Sequence, residues 1–198
     1  MTPEQKAAQR RGRIRMLLIA AVFAMPVIAS TLLFYMLPEY QPDDTTNYGQ
    51  LQQPARPSEA VNLIPRGASE PDARLLHRIW SLVIFDDGAC DALCNERLLM
   101  TRQMRLSLSD RRDRVQRVLV VPDAEAAEAL ESSLRLAHPD LRIVIDAGGS
   151  AADFFGEHPA GTLFLTDPLG NYLMRYAPDA EPKGLRKDIV RLLRASQI

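Results

Sequence analysis

A chain of 198 residues with a formal net charge of −1 has room for one domain of ordinary size plus appendages. The charge is uneven: Glu4, Lys6, Arg10, Arg11, Arg13 and Arg15 give the segment before Leu37 a net of +4, leaving −5 for the rest. A mildly acidic remainder gives no electrostatic reason to bind nucleic acid, and no partner of that class is expected.

Met16 to Leu37 reads MLLIAAVFAMPVIASTLLFYML and holds no charged residue. As a helix it rises about 33 Å, enough to cross a hydrocarbon core of about 30 Å. Pro26 is tolerable in such a helix, because membrane-spanning helices accept proline more readily than soluble ones. The arginines ahead of it mark residues 1–15 as a cytoplasmic basic segment and 16–37 as a transmembrane helix, with everything after it exported. A cleaved signal peptide shares the basic start and the apolar run. Its apolar region would be shorter, however, and no A-x-A-like site closes this one. The simplest setting is a bacterial inner membrane, crossed once, with the carboxy-terminal part in the periplasm.

Residues 38–72 hold Pro38, Pro42, Pro54, Pro57, Pro65 and Pro71 among Gln, Asp, Thr, Asn and Ser. Such a composition buries too little surface to offset its ordering entropy, so a flexible tether is expected. Short strands near Val61–Ile64 are the alternative.

Residues 73–198 alternate strand and helix signals, the mark of an α/β layer architecture. Ile79–Phe85 is a continuous apolar run of buried-strand type. Asp91 to about Leu108 places Leu93, Met100, Met104 and Leu108 near one face and reads as a helix. Val115–Val121 is a second buried strand, closed by Pro122. Ala124–Leu136 is rich in strong helix formers. Leu141–Ile145 is a third strand, stopped by Gly148 and Gly149, and Ala151–Phe155 a short helix. Thr162–Leu165 and Tyr172–Tyr176 flank the turn Asp167-Pro168-Leu169-Gly170, with Pro and Gly where a turn uses them. Pro182 to about Ala195 closes the chain as an amphipathic helix with Leu185, Ile189, Leu192 and Leu193 on its apolar face. A strand–helix–strand opening and a strand–strand–helix ending predict a thioredoxin-like domain, a central mixed sheet flanked by helices.

The two cysteines of the chain, Cys90 and Cys94, fall where the first strong strand hands over to the first long helix. A helix N-terminus stabilises a thiolate. A four-residue spacing brings both sulfurs to one side, within reach of a disulfide or of one metal ion. Paired thiolates are soft ligands that suit copper(I) or zinc, and in an oxidising compartment they close to a disulfide unless reduced. A purely structural disulfide is the bland alternative, but so short a loop gains little stability from closure. Asp86 and Asp87 would oppose thiolate formation and favour a bound cation, and they are also ordinary strand-end residues. Trp80 is expected in the core or against the tether, and His77 and His138 at the surface or at a helix end.

The Cys90-x-x-x-Cys94 motif after a core strand, behind an anchor and tether, resembles the Sco family of copper chaperones. Asp110–Asp123 (DRRDRVQRVLVVPD) looks like the segment leading into that family's next strand. Phe164–Tyr172 (FLTDPLGNY) is similar to its strand–DP-x-G–strand hairpin. Asn95 stands where the family has proline, and His158 lies one residue upstream of its histidine. The resemblance implies a thioredoxin-like fold and copper bound by Cys90, Cys94 and His158. It further implies copper delivery or thiol maintenance during cytochrome c oxidase assembly, with an oxidase subunit or its assembly factors as partner. Gly161 sits roughly where thioredoxins carry a proline facing their active site, which speaks against ordinary disulfide exchange. Two other readings stay open: a thiol–disulfide oxidoreductase in which Cys90 and Cys94 alone act, and a thioredoxin-like scaffold with a passive disulfide.

Overall fold

The computed structural model describes residues 3–36 and 46–196, which divide into two units, Met1–Thr46 and Asn47–Ile198. The first is α1, one helix from Pro3 to Met36 that passes through Pro26 without a break. Within it Arg10–Leu33 is 24 residues long with a mean hydropathy of 2.4, long and apolar enough to span a bilayer. Its Leu17, Leu18, Val22, Phe23 and Val27 are all exposed, as side chains meant for lipid would be. The helix includes the basic residues instead of beginning after them, so the basic segment and the span are one element.

The second unit is built on a seven-stranded sheet. Its elements are β1 (Gln50–Pro57), β2 (Ile64–Pro65), β3 (Trp80–Phe85), α2 (Ala92–Leu106) and β4 (Val115–Val121). These are followed by α3 (Ala124–Leu134), β5 (Leu141–Ile145), α4 (Ser150–Phe155), β6 (Leu163–Thr166), β7 (Asn171–Tyr176) and α5 (Pro182–Ala195). The strand order is β1-β7-β6-β3-β4-β5-β2. β3, β4 and β5 run parallel, with Val83 beside Val118 and Leu119 beside Ile143; β6 lies antiparallel to β3, and β7 to β6. This is the mixed thioredoxin-like sheet that the element order predicts.

Side-chain alternation divides the interior in two. Leu82, Ile84, Leu119 and Val121 join α2, α3 and α5 on one face. Val83, Val118 and Val120 join Val61, Leu63, Phe154, Phe155 and Tyr172 on the other. Both faces of β3 and β4 are covered, which is why those strands are buried along their length and mostly apolar.

The tether expectation for 38–72 needs correction. Residues 38–45 lie outside the described residues, but from Asn47 onward the chain is part of the folded unit. β1 pairs antiparallel with β7, and β2 pairs with β5. Val61, Leu63 and Ser58 are buried. An edge strand needs main-chain partners on one side only, so Pro54 and Pro57 do not bar it. A composition test that counts apolar residues misses a segment held by backbone hydrogen bonds and two anchors.

Candidate functional site

The loop between β3 and α2 carries the cysteines and is held by short-range hydrogen bonds. One oxygen of Asp86 accepts from the backbone N–H of Gly88 at 2.8 Å and of Cys90 at 3.0 Å. Asp91 caps α2, accepting from Cys94 N at 2.9 Å. Asn95 donates its side-chain amide to the carbonyls of Cys90 (2.8 Å) and Asp91 (3.0 Å). Its backbone N–H also donates to Asp91 O, a bond that proline at this position would lack. Gly88 has φ +103° and leaves no room for a side chain against Ala126. Cys90 itself adopts φ +41°, uncommon for a residue with a Cβ, and the three polar side chains around it hold that geometry.

Cys90 and Cys94 form a disulfide with their Cα atoms 5.0 Å apart, and both are buried at the end of the larger core. Ligand atoms of Asp86, Cys90 and Cys94 lie within 4.8 Å of one another, forming the one tight group of three potential metal ligands among the described residues. Asp86 is a partner that the sequence left undecided, since its four-residue lead over Cys90 has no helical or strand meaning. Its role comes from the turn at Gly88.

Beside the disulfide lies a cavity of about 580 Å³, lined by Phe85, Asp86, Leu93, Cys94, His158 and Gly161 among others. His158 is thus brought to the same cavity as Cys94, though outside the tight group with the sulfurs. Its ring is held between Phe85 (5.0 Å) and Phe164 (4.7 Å). Nδ1 lies 2.6 Å from the carbonyl of Gly156. A carbonyl only accepts, so Nδ1 carries a proton, and in the neutral tautomer the lone pair is then on Nε2. That is the arrangement a metal-ligating histidine uses. Gly161, at φ +78° beside Leu93, closes the cavity wall where a side chain would collide.

Behind the site, α2 is pinned to the sheet by a group the sequence reading did not single out. Arg117 on β4 is 1% exposed and donates to Leu98 O at 2.6 Å and to Thr101 Oγ1 at 3.1 Å. It also pairs with Asp140 at 3.1 Å. Burial pulls the Arg117 pKa down, and Asp140 opposes that shift. His138, expected at the surface or at a helix end, is buried with Nδ1 3.4 Å from Arg117. Burial and then Arg117 hold its pKa below 6.5. The signal was present in the sequence as a charged residue, beside Gln116, within a mostly apolar strand, which must find partners. His77 is half-buried beside Gly170, and Trp80 is in the core as expected.

The chain is thus a thioredoxin-like domain with a CxxxC disulfide at its first strand–helix junction. A family model described as "Transmembrane-like, thioredoxin-like, C-terminal domain" matches residues 80–196, and the chain belongs to that family. No curated protein matches it by sequence. Among solved structures, apo Sco1 from Thermus thermophilus is similar at 19% identity and TM-score 0.56, covering 76% of this chain and 99% of that one. Copper-bound ScoI from Arabidopsis thaliana is similar at 14% identity and TM-score 0.57, with 75% and 99% covered. MTB dsbF, in mixed oxidised and reduced forms, is similar at 16% identity and TM-score 0.53, with 69% and 98% covered. The fold expectation holds, and at these identities the likeness is one of fold.

Proposed function

We propose that this is a membrane-anchored, Sco-like protein that handles copper as cargo during cytochrome c oxidase assembly. The single-pass helix holds it in a bacterial inner membrane, and the domain works on the periplasmic side. The observation that carries this reading is that Asp86, Cys94 and His158 line one cavity, with Cys90 grouped tightly with Asp86 and Cys94 at its edge. Two sulfurs and an imidazole nitrogen with its lone pair available suit copper in either oxidation state. The disulfide must first be reduced, because thiolates and not disulfide sulfurs are the ligands. Cys90 and Cys94 would then hold the ion, with His158 as third ligand and Asp86 adding negative charge. The test is copper(I) competition on the reduced full-length protein in detergent. One equivalent should be retained, and lost on joint Cys90→Ser and Cys94→Ser substitution. A double variant that binds copper as well as wild type excludes the reading.

That Cys90 and Cys94 can close to a disulfide favours a second reading, in which the pair, once reduced by a thiol donor, acts as a reductase for a partner's cysteines. In that step Cys90 and Cys94 lose two electrons and two protons and close their S–S bond. The partner's S–S bond takes them up and opens to two thiols. His158→Ala would leave that exchange rate unchanged while abolishing copper binding, which separates the two readings.

A further inference from the structure

Helix α5 carries a stripe of positive charge that neither the sheet nor the cysteine site uses. Lys183, Arg186, Lys187, Arg191 and Arg194 are all exposed. At 100° per residue they fall within an arc of about 140°. Leu185, Asp188, Ile189 and Leu193 occupy the opposite face and are buried. The helix exposes no carboxylate: its single acid, Asp188, points inward and accepts the backbone N–H groups of Tyr48 and Gly49. Asp179 and Glu181 lie just ahead of it. Helix stability alone does not account for the stripe. Cations favour the last turn of a helix, yet Lys183 and Arg186 sit near the first, against the dipole.

The surroundings extend the stripe. Arg186 donates to Ser107 Oγ at the end of α2, and the exposed Arg112 lies on the turn that follows it. Nearby Asp113 is already engaged by Arg105 and Arg112. The chain also comes into the domain on this helix: Lys187 Nζ lies 2.9 Å from the Tyr48 hydroxyl, and Gly184 abuts the Tyr48 ring. Eleven residues separate Tyr48 from the end of α1, at most about 40 Å of fully extended chain. With α1 in a bilayer, as the proposed function has it, a lipid surface stays within that reach, and each cation near an anionic one is attracted to it.

We infer that the basic face of α5 is a docking surface for anionic phospholipid headgroups of the membrane that anchors the chain. Such contact would lay the domain on the bilayer by this face, independently of what Cys90 and Cys94 do. Lys6, Lys183 and Lys187 are the lysines of the chain, so amine footprinting reads the face almost alone. Full-length protein in nanodiscs of phosphatidylcholine, with or without phosphatidylglycerol, is labelled with an amine-reactive reagent. Lys183 and Lys187 should react severalfold more slowly in the anionic discs, with the difference gone at 0.5 M salt. The triple variant Arg186→Gln, Arg191→Gln, Arg194→Gln should lose the protection. The triple variant Arg74→Gln, Arg135→Gln, Arg142→Gln, equal in charge change, should keep it. Equal labelling in both kinds of disc overturns the inference, and would leave the face to an acidic protein partner. Protection lost alike in both variants overturns it too, as a general charge effect. Should the α5 variant fail to fold, the lipid and salt comparisons on wild type still decide.

Discussion

The backbone N–H of Cys90 donates to the carboxylate of Asp86 at 3.0 Å, so the first cysteine is positioned by an acid that also lies beside both sulfurs. Two effects of that carboxylate separate by substitution. Asp86→Asn keeps an oxygen for the Gly88 and Cys90 amides but removes the charge. A negative charge this close opposes thiolates by on the order of 1 kcal/mol at a partly exposed site. Its removal should therefore raise the disulfide reduction potential by about 20 mV. Asp86→Ala removes the acceptor as well and should cost about 2 kcal/mol of stability. Redox titration against glutathione and urea denaturation check the pair. An unchanged potential in the Asn variant would show that the charge is screened from the sulfurs.

Arg117 should be the most sensitive residue outside the cysteine loop. Arg117→Met removes the donor to Thr101 Oγ1 and one of two side-chain donors to Leu98 O, and leaves Asp140 with Arg105 as its remaining partner. Because Asp140 keeps Arg105, the cost is that of the lost hydrogen bonds to charged donors, about 2–3 kcal/mol. Hydrogen exchange should quicken along α2, which begins at the disulfide, before it does in β6 and β7. Uniform exchange across all elements would show that Arg117 supports the fold globally without selecting that helix.

How far the site could be read beforehand follows from the range of the forces that build it. Local patterns placed β3, α2, β4 and α5, because apolar periodicity acts within a turn or two. They also placed Cys90 and Cys94 at a helix start, where the four-residue spacing is itself the geometry. His158 needed the resemblance to Sco proteins, since only the packing of Phe85 and Phe164 from two strands brings its ring to the cavity. The Arg117–Asp140–His138 group needed the pairing of β4 with β5 and the reach of α2 over both. β1 escaped notice because Gln50–Pro57 is recruited by β7, whose edge invites a partner whatever its composition.

The same buried group gives the domain a pH response with a definite sign. The His138 pKa is held below 6.5 by burial and by Arg117. Its contribution is fully present above about pH 6.5, the unfolded value, and is lost as pH falls through the lower folded value. Below that window protonation removes the Nδ1 acceptor facing Arg117 and adds a second buried charge. Urea midpoints between pH 8 and pH 5 should fall more steeply in wild type than in His138→Asn, whose amide oxygen can still accept. Parallel curves would mean that carboxylates alone set the acid sensitivity.

Asp188 joins the start of the folded unit to its end. One of its oxygens accepts from Tyr48 N, Gly49 N and the Tyr176 hydroxyl, at 2.9, 3.0 and 3.2 Å. Burial, and then the Asp188 charge, push the Tyr176 pKa upward, so the phenol stays protonated and continues to donate. Asp188→Ala strands the buried Gly49 N–H, leaves the Tyr176 hydroxyl only Met174 Sδ and frees the part-buried Tyr48 N–H, with a cost of about 1–3 kcal/mol for each donor that water cannot reach. Because two of those donors begin the segment that leads into β1, the loss should fall first on that strand. Limited proteolysis should then cut between Asn47 and Arg56 in the variant well before any cut appears in β3 or β4. Asp188→Asn, which retains one acceptor oxygen, should be intermediate. A variant cleaved no faster than wild type in this stretch would mean that the β1–β7 pairing alone holds the strand in place.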